Sequence, residues 1–188
     1  MLTPLFHRCL DQFSWCLDLP RRCLDLLRLL LVFSLLAAPA YAGDGGSEPG
    51  RLDLVALGFE PVVEPTVDLT IDAAQFAIAA LVAAETDADL AALLGNVEAF
   101  CLRQYSPPDA ATFAAAQVLP AAIVADGWQL VQAETQGSRQ VTVHLKLDGL
   151  VVGGLAVIAI DADREVSVAN VVGNIQPAQL ATLGLPLP

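Results

Sequence analysis

The sequence predicts an α+β domain arranged as a two-layer sandwich, with a mostly antiparallel sheet and its helices on one face. Four strand patterns follow one another between Trp128 and Val172, and only short turns separate them. Strands joined by short turns pair antiparallel, because a parallel pair needs a long crossover connection. Alanine-rich helical patterns stand earlier in the chain. The predicted order of elements is β-α-α-β-α-β-β-β-β-α.

The first strand and the first two helices are predicted from alternation and capping signals. Residues 66–71 alternate between polar and apolar side chains, which indicates a strand with one buried face. Asp72 is the predicted N-cap of a helix that continues to Glu85, and a second, short helix is predicted at residues 87–94. The residues assigned to the apolar side of the longer helix are Phe76, Ile78, Leu81 and Val82.

The next two elements are a second strand, at residues 97–105, and a helix that contains a proline. The helix is predicted to begin after Pro107-Pro108-Asp109 and to end near Asp126. Pro120 lies in its middle, where it lacks the N–H group that a helical hydrogen bond requires. We therefore expect this helix to be kinked or split.

Four strands and a short helix complete the predicted domain. The third of these strands is apolar on both faces, which predicts a central position in the sheet. Pro177 suits the first turn of the last helix. The predicted ranges are 128–135, 139–147, 151–160 and 165–172 for the strands and 177–183 for the helix.

Residues 1–42 carry the three parts of a secretory signal peptide. The pair Arg21-Arg22 precedes an apolar run at residues 26–36, and Ala40 and Ala42 occupy the −3 and −1 positions of a cleavage site. The uncharged part of the run is shorter than the ~20 residues that cross a membrane. A cleaved leader is therefore the prediction, and an uncleaved anchor is the alternative.

Cleavage after Ala42 would leave a flexible linker at residues 43–50 and one α+β domain at residues 51–188. We expect this mature chain in the periplasm or outside the cell. Three cysteines spaced seven residues apart lie in the predicted leader and would be discarded with it. Cys101 would be the remaining cysteine, so the mature chain would have no internal disulfide. The repeated cysteines are Cys9, Cys16 and Cys23.

The charge of the chain argues against two classes of partner. The formal net charge is −12 at pH 7, from 9 Lys and Arg against 21 Asp and Glu. Nucleic acids and anionic membrane surfaces are both bound through basic patches. We therefore expect no nucleic-acid binding and no stable membrane insertion after cleavage. Because the chain is predicted to be exported, we expect an envelope protein as its partner.

His144 is the one histidine of the predicted mature chain. Alternation places it on the polar face of its strand, beside Thr142 and Lys146. A general base needs an orienting acid, and Glu134 or Asp148 would have to supply it. We expect an exposed strand histidine rather than a catalytic one.

The other candidate groups also favour structural roles. Cys101 lies in a strand pattern with few cations in the chain, which favours a structural thiol over a nucleophile. Asp161, Asp163 and Glu165 alternate as in a calcium loop, but the glycine and the final glutamate of such a loop are absent. Glycines 149, 153 and 154 suit a bulge or close packing rather than a phosphate cradle. We predict no catalytic residue, no cofactor and no metal site.

Three segments resemble an exported bacterial family catalogued as domain of unknown function 4252. They are Glu64-Pro65-Thr66-Val67-Asp68-Leu69, the Gly127-Trp128 step, and the strand end Asn170-Val171-Val172-Gly173-Asn174-Ile175 with the helix that follows it. The resemblance covers roughly residues 51–183. It implies an envelope location and an α+β fold, and it implies no reaction.

Three functions are compatible with these observations. The leading hypothesis is a non-enzymatic binding module that offers a protein partner either an edge strand or the polar face with Thr142, His144 and Lys146. The second is a small-molecule-binding protein or hydrolase with a pocket between helices and sheet. The third is a homo-oligomeric structural component, joined through Cys101.

Overall fold

The structure is a computed structural model, and it describes residues 49–161 and 165–182. Six strands form one sheet in the spatial order β1-β2-β6-β5-β4-β3, and every neighbouring pair is antiparallel. The strands are β1 (Val67–Asp72), β2 (Val97–Tyr105), β3 (Gln129–Gln136), β4 (Arg139–Asp148), β5 (Val151–Asp161) and β6 (Glu165–Ile175).

Four helices in the described part of the chain accompany the sheet, and their order confirms the predicted α+β fold. Aspartate side chains begin the first three, each accepting a hydrogen bond from a backbone N–H group three residues on: Asp72, Asp87 and Asp109. Such N-caps satisfy groups that have no partner within the helix. The helices are α1 (Ala73–Ala83), α2 (Ala88–Leu94), α3 (Ala110–Ala125) and α4 (Pro177–Thr182).

The helices, expected on one face, divide between the two faces of the sheet. Helices α1 and α2 pack with Phe100 and Leu102 of β2, whereas α3 packs with Val166 and Val168 of β6. Leu102 pairs with Ala169, so it points to the opposite side from Val168. The physical reason is that the central strands are apolar on both faces, and each face requires its own cover.

Helix α3 is continuous through Pro120, so the expected split does not occur. Ala116, Leu119 and Ile123 lie on its inner side, and each is 0% exposed. These buried residues lie both before and after Pro120 in the helix. Their packing against the sheet stabilises the helix by more than the one missing hydrogen bond costs.

The segment that enters the domain is hydrogen-bonded to the sheet from Gly50 onward. The end of the predicted linker, residues 43–50, is therefore part of the folded domain. Gly50 is buried and passes over β5 at Gly153 and Gly154. The amide of Asn170 donates to the Gly50 carbonyl at 3.0 Å, and its oxygen accepts from the Leu52 N–H at 3.0 Å. Asn170 is 5% exposed, so this side chain serves as a buried clamp on the entering segment.

The rest of the Asn170–Ile175 segment is also structural. A Cβ atom on Gly173 would stand 2.2 Å from the backbone oxygen of Asn96, in the turn between α2 and β2. The neighbouring Asn174 N–H donates to that same oxygen at 2.8 Å. Glycine is therefore required where the turn crosses β6.

The predicted leader, residues 1–42, and residues 43–48 of the predicted linker lie outside the described residues. Within the ranges 49–161 and 165–182, no helix is both long enough and apolar enough to cross a membrane.

Candidate interaction surfaces

The prediction that His144 lies on an exposed polar face is wrong. Its side chain is 0% exposed and that of Thr142 is 4% exposed. Both point to the side of the sheet that α3 and Trp128 cover, since His144 pairs with Ala156 of the same buried cluster. The predicted binding face of Thr142, His144 and Lys146 is therefore excluded.

Among residues 49–161 and 165–182, nothing arranges His144 for acid–base catalysis either. Its Nε2 lies 3.1 Å from the Thr142 hydroxyl, and its buried Nδ1 has no hydrogen-bond partner among the described residues. Glu134 pairs with Val141, which points away from His144, and Asp148 is exposed at the end of β4. Burial lowers the pKa of the imidazole below its ordinary 6.5. Burial therefore favours the neutral imidazole, and the described residues supply no orienting acid of the kind that a general base requires.

The buried imidazole should make stability depend on pH. Below pH 6.5 the unfolded chain binds a proton at His144 that the folded chain resists, so stability is complete above this pH and falls below it. The slope cannot exceed about 1.4 kcal/mol per pH unit, the value for one proton, and it ends where the folded state also becomes protonated. Urea unfolding at several pH values should show this slope in the parent protein. It should be absent in His144→Leu, and equal slopes in the two proteins would contradict the assignment.

Lys146, the third member of the predicted face, caps the C-terminal end of α3 with a hydrogen bond. Its Nζ donates to the Asp126 backbone oxygen and lies 3.5 Å from the Asp126 carboxylate. The same Nζ is 5.9 Å from the centre of the Trp128 ring. A cation at a helix C-terminus satisfies the last carbonyl groups and opposes the helix dipole. Lys146 therefore has a structural role.

The remaining predicted groups are not gathered into one site. Cys101 is a free, partly exposed thiol whose Sγ lies 3.9 Å from the Thr70 hydroxyl. Asp161 pairs with Glu165 at the turn between β5 and β6, and Asp163 lies outside the described residues. In the described part of the chain, no three His, Cys, Asp or Glu side chains are placed to hold a metal ion. Glycines 153 and 154 lie at a β-bulge, as predicted.

Strand β3 forms one open edge of the sheet. It pairs with β4 on one side, and no strand of the described ranges pairs with its other side. Along its length only Val131 and Gln132 are partly buried, and Glu134 is its one ionisable residue. The opposite edge, β1, carries two aspartates, of which Asp68 lies 3.7 Å from Arg103. Charges protect an edge from pairing, so β3 is the less protected edge.

Helix α1 presents apolar residues on two sides, and the predicted apolar side is confirmed for Phe76 and wrong for the other three residues. Its buried residues are Phe76, Ala79 and Ala83, whereas the bulky Ile78, Leu81 and Val82 point outward. Their exposures are 55%, 74% and 56%. The sequence contained this signal, because no charged residue occurs from Ala73 to Ala84. Both sides of the helix were apolar, so periodicity alone did not identify the inner one.

The comparisons with known proteins leave the family undecided. No family model matches the chain, and neither a curated protein nor a solved structure matches it. The resemblance to the exported family stays a prediction.

Proposed function

We propose that this chain is an exported, non-enzymatic protein-binding module of a bacterial envelope, and that β3 is its binding edge. The observation that carries the proposal is the open edge of β3, eight residues long with a single ionisable side chain. An extended peptide can add to such an edge as a further strand, with main-chain hydrogen bonds supplying affinity.

The proposed partner is an extended segment that is not acidic. The chain has a net charge of −12, so an acidic segment would be repelled during approach and a basic one attracted. Glu134, near the middle of β3, offers a basic residue of the added strand a local partner. The predicted leader at residues 1–42 supports an envelope location for the encounter.

The direction of the backbone groups allows a sharp test. A two-residue turn, Gly137-Ser138, joins β3 to β4, so Gln136 and Arg139 should form its closing hydrogen-bonded pair. Alternate residues then direct their N–H groups outward, and Ala133 is one of them. Proline at this position removes an outward donor without removing a bond to β4.

Crosslinking in cells that export the full chain, followed by capture and mass spectrometry, should recover a specific envelope partner. Recovery should fall at least ~10-fold with Ala133→Pro, because a lost edge donor weakens an added strand. The variant Ala133→Val keeps the N–H group and should capture the partner as the parent does. The captured chain should begin at Gly43.

Equal capture by the parent and Ala133→Pro, with both proteins folded, would remove β3 as the binding edge. A captured chain that begins upstream of Gly43 would replace the cleaved leader with an anchor. Comparable thermal unfolding of the proline and valine variants establishes that a loss of partner reflects the edge and not the fold.

A further inference from the structure

Helix α1 has a second complete apolar face that its own domain does not use. Its inner residues fill the core against β1 and β2. On the other side, exposed residues follow the i, i+3, i+4, i+7, i+8 spacing of a buried helix face. We call this set the outer stripe: Ala74, Ala77, Ile78, Leu81 and Val82. A helix that is apolar on all sides is normally covered on all sides.

The same face of the sheet has a partly exposed apolar area beside α1. Helices α1 and α2 pack over β1 and β2, and the strands next to them remain partly exposed. The register places their side chains on the helix side, since Phe100 pairs with Val171 and Val157 with Ala169. We call this set the open floor: Val141, Leu155, Val157, Ala159, Ala169 and Val171.

We propose that two copies of this chain pair face to face, so that the outer stripe of each covers the open floor of the other. A two-fold axis makes the contact reciprocal, and both apolar surfaces of both copies are used once. Each α1 then lies between two sheets, its own and that of the second copy. This accounts for a helix with apolar residues on opposite sides.

The apolar character of both surfaces fits a second copy, although the net charge of −12 opposes the approach of two copies. Neither the outer stripe nor the open floor contains an ionisable residue, so the apolar contact itself buries no charge, and Glu134 lies at the edge of the floor beside Val141. A lipid surface is disfavoured, because membrane-binding helices carry Lys or Arg beside their apolar face. No Lys or Arg occurs between Arg51 and Arg103, while Asp72 and Glu85 flank α1. Two stripes packed on each other would leave both floors uncovered.

The test is the oligomeric state of the purified full chain, measured by sedimentation velocity across a range of concentrations. The parent should be a dimer. Leu81→Glu in the stripe and Val157→Glu in the floor should each raise its dissociation constant at least ~100-fold, because each places one unpaired carboxylate in both of the dimer's two apolar contacts. Val118→Glu is the matched control on α3, across the sheet, where Val118 is 61% exposed. It should leave the dimer unchanged.

A photo-crosslinking residue at position 81 identifies what covers the stripe. Mixing isotopically light and heavy copies separates crosslinks between copies from crosslinks within one chain. This measurement does not depend on the folding of Val157→Glu. Crosslinks from one copy to β4–β6 of the other support the arrangement. A parent that is monomeric at all concentrations overturns it. Crosslinks within one chain to residues 183–188, or to a different protein, overturn it as well. Ala133→Pro should remain dimeric, which separates this contact from the proposed edge binding.

Discussion

Gly154→Ala should lower the free energy of unfolding by about 3–5 kcal/mol, through overpacking together with lost buried hydrogen bonds. A Cβ atom at this position would stand 2.3 Å from the Gly50 oxygen, 2.5 Å from the Gly50 Cα and 2.7 Å from the Trp128 ring. The first two are backbone atoms and cannot move as a flexible side chain would. The entering segment would have to lift away, and the Asn170 clamp would open with it.

Gly95→Ala is the matched control for this prediction. Gly95 has φ −66° at the end of α2, and a Cβ atom there would meet nothing closer than 3.4 Å. The free energy of unfolding of the Gly95→Ala variant should stay within about 1 kcal/mol of that of the parent, as is usual for an exposed site. Urea denaturation measures both changes, and hydrogen exchange at Leu52 should accelerate in Gly154→Ala alone. A Gly154→Ala protein as stable as Gly95→Ala would mean that the segment does not cross β5 there.

The order of elements could be predicted because its signals are local. Alternation identified β1, and Asp72 and Pro107-Pro108-Asp109 stand where α1 and α3 begin. Which face receives each helix is not a local property. The central strands accept cover on both sides, so the sequence did not decide between one covered face and two.

Burial was mispredicted where polar residues alternate along a strand and another part of the chain packs over them. Thr142, His144 and Lys146 follow the pattern of a solvated face, yet α3 and Trp128 lie over it. Polarity and alternation report what a strand tolerates, and only the tertiary fold shows what lies above it. The same reasoning applies to α1, where Phe76 and two alanines pack against the core while Ile78, Leu81 and Val82 remain outside.

Asn170→Leu should cost about 3 kcal/mol, because it leaves one buried and one partly buried backbone group without partners. The Leu52 N–H loses its acceptor and the Gly50 carbonyl loses its donor. Leucine has the same branching and the same number of side-chain heavy atoms, so it removes the hydrogen bonds without leaving a cavity. Chemical denaturation gives the magnitude, and faster exchange of the Leu52 amide shows where the fold has loosened. Unchanged exchange would contradict the clamp.

Asn170→Asp should be more damaging than Asn170→Leu at pH 7, and its cost should depend on pH. The amide nitrogen now donates to the backbone oxygens of Gly50 and Leu155, at 3.0 and 3.2 Å. A carboxylate there would be buried and would face those oxygens, so its pKa in the folded state should rise. Protonation restores one donor, and the variant should regain stability relative to the parent as the pH falls from 7 toward 4. Asn174→Asp makes the same change at an exposed position of β6 and should show no such recovery. If both variants respond alike to pH, then Asn170 is not the buried donor that holds the entering segment.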